Sequence, residues 1–101
     1  MYMKEVTIEK FHDIVKQKDD LHILDVRPKD LYDEGHVPGA VHMPLSKLED
    51  HLAELDKNAH YYTICHDGVG SKKAAEILTN NGYQVTNVEK GVPDYPGKLE
   101  K

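Results

Sequence analysis

Several residue types and patterns are scarce in this sequence, and each absence excludes a class of protein. The chain has one cysteine, so an internal disulfide is impossible, and such scarcity fits a reducing, cytoplasmic location. No apolar run approaches the ~20 residues that cross a membrane, so we expect no membrane contact. With 13 Lys and Arg against 18 Asp and Glu, the net charge of −5 argues against a nucleic-acid surface.

Metal ligands in a recognisable arrangement are also missing. The chain has seven histidines, but no His-x-x-x-His pair lies on a clear helical face. Structural zinc sites use closely spaced cysteines and histidines, and no second cysteine is available here. We therefore predict no metal site, and the sequence indicates no other cofactor.

Helix and strand patterns alternate along the chain. Apolar residues at helical spacing predict a helix over 8–17 with Thr7 as its N-cap. Further helical segments are predicted after Pro28, from the capping box Ser46–Glu49, and over 71–80. Strands are predicted at 4–6, 21–26, 41–43, 61–65 and 84–88. This alternation predicts one α/β domain over residues 1–101 with a mostly parallel sheet, whose strand order cannot be read from sequence.

The run 21–26 is mostly apolar, which is typical of a central strand that is buried on both faces. Asp25 lies within it, and a buried carboxylate needs a partner. Arg27 and the backbone N–H groups of a neighbouring loop are both possible partners.

The stretch 61–75 contains the most informative pattern in the chain. Cys65 ends a strand pattern, where ligands of open α/β sheets bind. Gly68 and Gly70 follow, and we expect both to supply the backbone freedom of a tight anion-binding loop. The N-terminus of the next helix adds N–H groups and a favourable dipole. This setting favours the nucleophilic thiolate, although a lone cysteine can also be an inert buried hydrophobe.

Two separated segments resemble the signatures of the rhodanese domain, a sulfurtransferase module. Cys65–Ser71 matches the pattern Cys-x-x-Gly-x-Arg-Ser/Ala, except that Gly70 replaces the arginine. The earlier signature matches at residues 24–27, at Tyr32 and at residues 35–40. The resemblance covers about residues 4–97 and implies the rhodanese-like fold, with helices on both faces of the sheet, in a stand-alone domain.

The resemblance also implies a reaction. Cys65 would take sulfane sulfur from a small donor such as thiosulfate or a persulfide, and would pass it to a thiol or protein acceptor. The resemblance assigns Asp25 and Arg27 to supporting positions. The predicted anion-binding loop consists of His66, Asp67, Gly68, Val69, Gly70 and Ser71.

Charges near the loop are expected to play smaller parts. Asp67 places negative charge beside the sulfur and should oppose the thiolate, whereas Lys72 and Lys73 are expected to be solvated. His36 is expected to fix a turn by hydrogen bonds. In the tail, family members often carry Gly-Gly and a tryptophan; here one glycine is missing, and Tyr95 is a candidate to replace the tryptophan.

Two other functional classes also use a loop of this kind. A cysteine phosphatase needs an arginine after five intervening residues, a position that Ser71 occupies here, and the loop has no arginine. A non-catalytic module that binds a partner or senses a sulfur or anionic metabolite remains an alternative, because Gly70 replaces the usual arginine.

Overall fold

The computed structural model describes residues 4–18 and 20–101. The predicted domain over 1–101 therefore includes four residues, 1–3 and 19, that lie outside the described part. The strands are β1 Lys4–Val6, β2 His22–Asp25, β3 Ala40–His42, β4 His60–Ile64 and β5 Gln84–Val88. The α-helices are α1 Ile8–Gln17, α2 Lys29–Glu34 and α3 Val69–Asn80. Three 3-10 helices span Leu45–Lys47, Glu49–Glu54 and Val92–Asp94.

The five strands form one sheet in the order β1-β5-β4-β2-β3, and every neighbouring pair is parallel. The predicted α/β class with a mostly parallel sheet is therefore confirmed. β4 lies at the centre, and Asp25 at the end of β2 is in register with Ile64 at the end of β4. Because the strands are parallel, the residues that follow β2 and β4 emerge side by side at one edge of the sheet.

Apolar side chains cover both faces of the sheet, which confirms helices on both sides. On one face, Ala74 and Leu78 of α3 pack with Leu48 against the sheet. On the other face, Ile8 and Phe11 of α1 are fully buried. Burying a side chain of this size stabilises the fold by about 1.5–3 kcal/mol. Among the described residues, no helix is long and apolar enough to cross a membrane.

Local signals correctly predict the ends of two helices. Thr7 caps α1, since its hydroxyl oxygen accepts a hydrogen bond from the Lys10 N–H at 3.2 Å. Later in the chain, α3 stops at Asn80, and Gly82 adopts the left-handed φ of 89°. Only glycine adopts that conformation without steric cost, so Gly82 makes the stop that its sequence position predicts.

The predicted capping box Ser46–Glu49 does not form. Ser46 lies inside the 3-10 helix Leu45–Lys47, and neither this helix nor Glu49–Glu54 has a side-chain cap. The reason is a tertiary tether: the Leu45 N–H donates to the Val26 carbonyl at 3.1 Å, so the turn starts before Ser46. Leu48 is nevertheless fully buried, so the predicted packing of this segment is correct.

Candidate functional site

The sulfur of Cys65 lies between the end of β4 and the start of α3. The Gly68 N–H donates a hydrogen bond to Sγ at 3.0 Å, and the Ser71 hydroxyl oxygen lies 3.3 Å from Sγ. The Asp67 carboxylate approaches Sγ to 3.8 Å. Cys65 is only 5% exposed, yet it lines an open pocket. The Gly68 N–H and the Ser71 hydroxyl therefore both face a sulfur that a small molecule can reach.

Gly68 shapes the loop. Its φ of 89° is left-handed, and it forms the N-cap of α3, which begins at Val69 rather than at the predicted Ser71. A Cβ at Gly68 would lie 3.0 Å from the Lys90 carbonyl oxygen, so a side chain would be crowded as well as strained. The Asp67 side chain accepts from the Val69 N–H at 3.0 Å and closes the turn. The predicted loop freedom is confirmed at Gly68.

Gly70 does not have the backbone role predicted for it. It lies inside α3 and is not among the glycines of the described residues that have a positive φ, which are Gly35, Gly39, Gly68 and Gly82. A Cβ at Gly70 would make ordinary contacts of 3.9 Å with Leu45 and with Cys65. Other residues could therefore adopt this backbone. Gly70 instead leaves space in front of the Cys65 sulfur.

The remaining loop residues divide into a buried and an exposed set. Ser71 is fully buried, and its hydroxyl can donate to a thiolate or accept from a thiol. His66, Asp67 and Val69 are exposed. Lys72 and Lys73 are also exposed and line a separate depression, as expected for solvated lysines.

Asp25 and Arg27 form a buried ion pair at the end of β2. Arg27 donates from Nε at 2.9 Å and from Nη2 at 2.7 Å to the two carboxylate oxygens. Nη2 also donates to the Gly35 carbonyl at 2.8 Å. Arg27 is therefore the partner that Asp25 requires. The pair fixes the turn after α2 to the sheet beside the pocket.

His36 has the structural role expected of it. Its Nδ1 lies 3.0 Å from the Tyr32 carbonyl oxygen, and its ring stacks on the Tyr32 ring at 3.9 Å. The Tyr32 hydroxyl donates to the Ala40 carbonyl at 2.6 Å. Burial, with Asp25 and other nearby carboxylates, raises the pKa of Tyr32, so this hydroxyl remains a donor.

A pocket of about 480 Å³ opens above Cys65, and sequence reasoning did not identify most of its walls. It is assembled from the end of β2, from α2, from the first 3-10 helix and from the start of α3. Its lining residues are Val26, Arg27, Pro28, Leu31, Pro44, Leu45, Ser46, Cys65, His66, Asp67 and Gly70. The first three wall segments are distant from Cys65 in sequence, and no local pattern connects them to it.

The tail supports the loop from behind. The Val92 N–H donates to the Cys65 carbonyl at 2.9 Å. A Cβ at Gly91 would lie 2.3 Å from that carbonyl oxygen, so only glycine allows this approach. Lys90 adopts a positive φ of 65°, which is uncommon for a residue with a side chain. Tyr95 is buried and its ring lies 6.2 Å from that of Phe11, so it packs as an aromatic anchor for the tail.

Within the described residues, no three His, Cys, Asp or Glu side chains come together as metal ligands would. The polar groups around the sulfur are the Gly68 N–H, the Ser71 hydroxyl and the Asp67 carboxylate.

The sequence pattern of the rhodanese-like domain matches residues 7–97. The chain belongs to this family. Among curated relatives, the putative sulfur carrier protein YrkF of Bacillus subtilis is 40% identical over 97 residues, which are 95% of this chain and 52% of YrkF. The chain thus spans about half the length of that relative. The putative sulfurtransferase YtwF of the same organism is 29% identical, with 99% of this chain and 97% of YtwF covered.

Solved structures share the fold. A protein of Staphylococcus saprophyticus superimposes with a TM-score of 0.91 at 30% identity, covering 98% of this chain and all of that one. A rhodanese-like domain protein of Staphylococcus aureus gives 0.88 at 33% identity, covering 97% of each chain. The rhodanese-like fold predicted from the two signatures is confirmed.

Proposed function

We propose that this rhodanese-like domain is a sulfurtransferase that carries sulfane sulfur on Cys65. The observation that carries the proposal is the position of Sγ: it lies at the base of an open pocket, 3.0 Å from the Gly68 nitrogen and 3.3 Å from the Ser71 hydroxyl. Relatives named as sulfur carrier and sulfurtransferase support the same reaction class. The single cysteine is consistent with a reducing, cytoplasmic setting.

The reaction has two steps. The Cys65 thiolate attacks the sulfane sulfur of a donor, for example thiosulfate; the donor S–S bond breaks, sulfite leaves with the bonding electron pair, and Cys65 becomes a persulfide anion. An acceptor then attacks the outer sulfur and regenerates the thiolate; cyanide would leave as thiocyanate, and a thiol or a protein thiolate would leave as a persulfide. The Gly68 N–H and the Ser71 hydroxyl stabilise negative charge at sulfur in both steps.

The remaining proposed site residues act around this sulfur. His66, Asp67, Val69 and Gly70 form the rim of the loop, and Asp25 with Arg27 positions the chain beside the pocket. The alternative is a non-catalytic module, and Gly70 is the observation that favours it, because the loop after Cys65 has no arginine fork to grip an anionic donor.

Intact-mass measurement after incubation with thiosulfate separates the two functions. We expect a gain of one sulfur atom that a reductant removes, and Cys65→Ser should lose that gain because no second cysteine can accept sulfur. Thiocyanate formation from cyanide should disappear in the same variant. A binding module would gain no sulfur from thiosulfate or from a more reactive thiosulfonate.

A further inference from the structure

We propose that the pocket above Cys65 selects a small organic sulfane-sulfur donor with an apolar body, such as an aryl or branched-alkyl group, over thiosulfate. The inference rests on the proposed function and names the donor class for it. Three features of the site carry it: the walls of the pocket, the charges around it and the space left by Gly70.

The walls are apolar. Five residues with hydrocarbon side chains line the space above the sulfur: Val26, Pro28, Leu31, Pro44 and Leu45. Pockets that hold small organic ligands measure roughly 300–1,000 Å³ and combine such walls with a few polar groups. The volume of about 480 Å³ fits that description, whereas thiosulfate would leave the apolar walls in contact with water.

The charges oppose a dianion. Among the described residues that line the pocket, Arg27 is the one arginine or lysine, and it is paired with the buried carboxylate of Asp25. The pair is neutral as a unit. Asp67 adds a carboxylate at 3.8 Å from Sγ, which repels a doubly charged donor more than a singly charged one. Lys72 and Lys73 line a different depression.

Gly70 determines how much of the pocket is open. A Cβ at this position would contact Leu45 and Cys65 at 3.9 Å, so a longer side chain would extend into the space between them. Because the backbone at Gly70 is helical, the absence of a side chain here has no conformational reason. The space instead admits the body of a donor beside its sulfane sulfur.

Aryl and alkyl thiosulfonates are suitable probes for this class of sulfur donor, because atoms and charge balance in their reaction with Cys65. The Cys65 thiolate attacks the terminal sulfur of R–SO₂–S⁻, the bond between that sulfur and the sulfonyl sulfur breaks, and the sulfinate R–SO₂⁻ leaves with the electron pair. Cys65 becomes a persulfide anion, and the total charge of −2 is the same on both sides. Benzenethiosulfonate and methanethiosulfonate both carry one negative charge, so they differ mainly in the size of the apolar body.

The test compares kcat/KM for the two thiosulfonates and thiosulfate, with cyanide as acceptor. Each buried methylene-sized group is worth about a fourfold gain in binding, so a phenyl ring in an open pocket should give at least about a tenfold preference over methyl. Leu31→Gln should reduce this preference by about fivefold by making one wall polar. The matched control is Val41→Gln, a change at a side chain that is 56% exposed and outside the pocket lining. It should leave the preference unchanged.

Inhibition by unreactive sulfonates gives a second test. Sulfonates have no leaving group, so their inhibition reports binding alone, and the measurement uses the wild-type protein rather than a variant that must fold. Benzenesulfonate should inhibit the wild-type protein at about tenfold lower concentration than methanesulfonate. Equal inhibition, together with equal or better use of thiosulfate, overturns the inference while sulfur transfer itself stands. If no donor adds sulfur to Cys65, both the inference and the proposed function fail.

Discussion

Removing the carboxylate of Asp67 should make the site more receptive to anions in proportion to their charge. Asp67 lies 3.8 Å from the Cys65 sulfur through Oδ1, and the same oxygen accepts a hydrogen bond from the Val69 N–H at 3.0 Å. Asp67→Asn keeps an acceptor oxygen for that hydrogen bond while it removes the charge. The substitution therefore tests electrostatics with the loop geometry retained.

The magnitude follows from the separation. Two unit charges about 4 Å apart interact by roughly 1 kcal/mol in water and by about 4 kcal/mol at the effective dielectric of a protein surface. Asp67 is exposed, and an incoming anion would stand beyond the sulfur, so the lower figure applies. A difference of about 1 kcal/mol corresponds to roughly a fivefold change in rate.

Alkylation of Cys65 by two similar reagents measures this effect without assuming any natural substrate. Iodoacetate is an anion and iodoacetamide is neutral, so a change in the ionised fraction of the thiol cancels in the ratio of their rate constants. We expect Asp67→Asn to raise the iodoacetate-to-iodoacetamide ratio about fivefold at low salt. The increase should shrink as ionic strength approaches 1 M, where the screening length is about 3 Å.

The matched control is Asp50→Asn, which removes one charge from an exposed aspartate in the 3-10 helix Glu49–Glu54. Both variants change the net charge from −5 by one unit, so a long-range effect would appear in both. An unchanged ratio in Asp67→Asn, or an equal rise in Asp50→Asn, would refute the local electrostatic reasoning.

Three other substitutions test two glycines and His60. Gly70→Arg should fold, since the backbone is not left-handed, and its guanidinium should lower KM for thiosulfate about fivefold; unchanged steady-state kinetics in a folded variant would contradict this. Gly91→Ala should cost about 1–3 kcal/mol in urea unfolding, because its Cβ would lie 2.3 Å from the Cys65 carbonyl oxygen; wild-type stability would show that the tail can shift freely. Burial, with two nearby lysines, lowers the pKa of His60 below its ordinary 6.5, so the unfolded chain binds that proton more readily. Stability should therefore rise with pH through the window below 6.5, and His60→Gln should flatten that rise in urea midpoints; an unaltered slope would refute the assignment.

Most of the secondary structure could be predicted because its signals are local. The spacing of Ile8 and Phe11, with Thr7 as the cap, predicts α1 correctly at both ends. Alternation of helix and strand predicts the parallel sheet, since parallel strands need crossover connections. The position of Cys65 after β4 follows from the end of one apolar run. The predictions of α1 and of the end of β4 each depend on residues within a few turns of one helix or within one strand, and the sheet prediction depends only on the order of such segments.

Long-range contacts explain what could not be predicted. The hydrogen bond from Leu45 to Val26 moves the turn start and prevents the capping box at Ser46. The strand order, and with it the joining of the β2 and β4 ends, depends on packing that no local pattern encodes. The pocket could not be predicted for the same reason, because Leu31 and Leu45 are distant from Cys65 in sequence and line one pocket with it only in the folded structure.

The glycines near the sulfur show why residue type alone was insufficient. Gly68 is needed for its left-handed φ, whereas Gly91 is needed because a neighbouring carbonyl lies where its Cβ would be. Gly70 is required for neither reason. Glycine is therefore present for three different reasons: a left-handed backbone at one position, a close backbone contact at another and open space in the pocket at the third. Only the folded structure distinguishes these reasons.

The groups that contact the Cys65 sulfur are different from the groups that would recognise the donor. The Gly68 N–H and the buried Ser71 hydroxyl contact the sulfur of Cys65, and neither depends on what occupies position 70. The pocket walls, by contrast, belong to β2, α2 and the first 3-10 helix. A persulfide on Cys65 would therefore keep its stabilising donors whether the donor molecule is gripped by charge or by apolar contact. Glycine at position 70 is consistent with a retained nucleophile, because it changes the recognition surface and leaves the hydrogen bonds to sulfur in place.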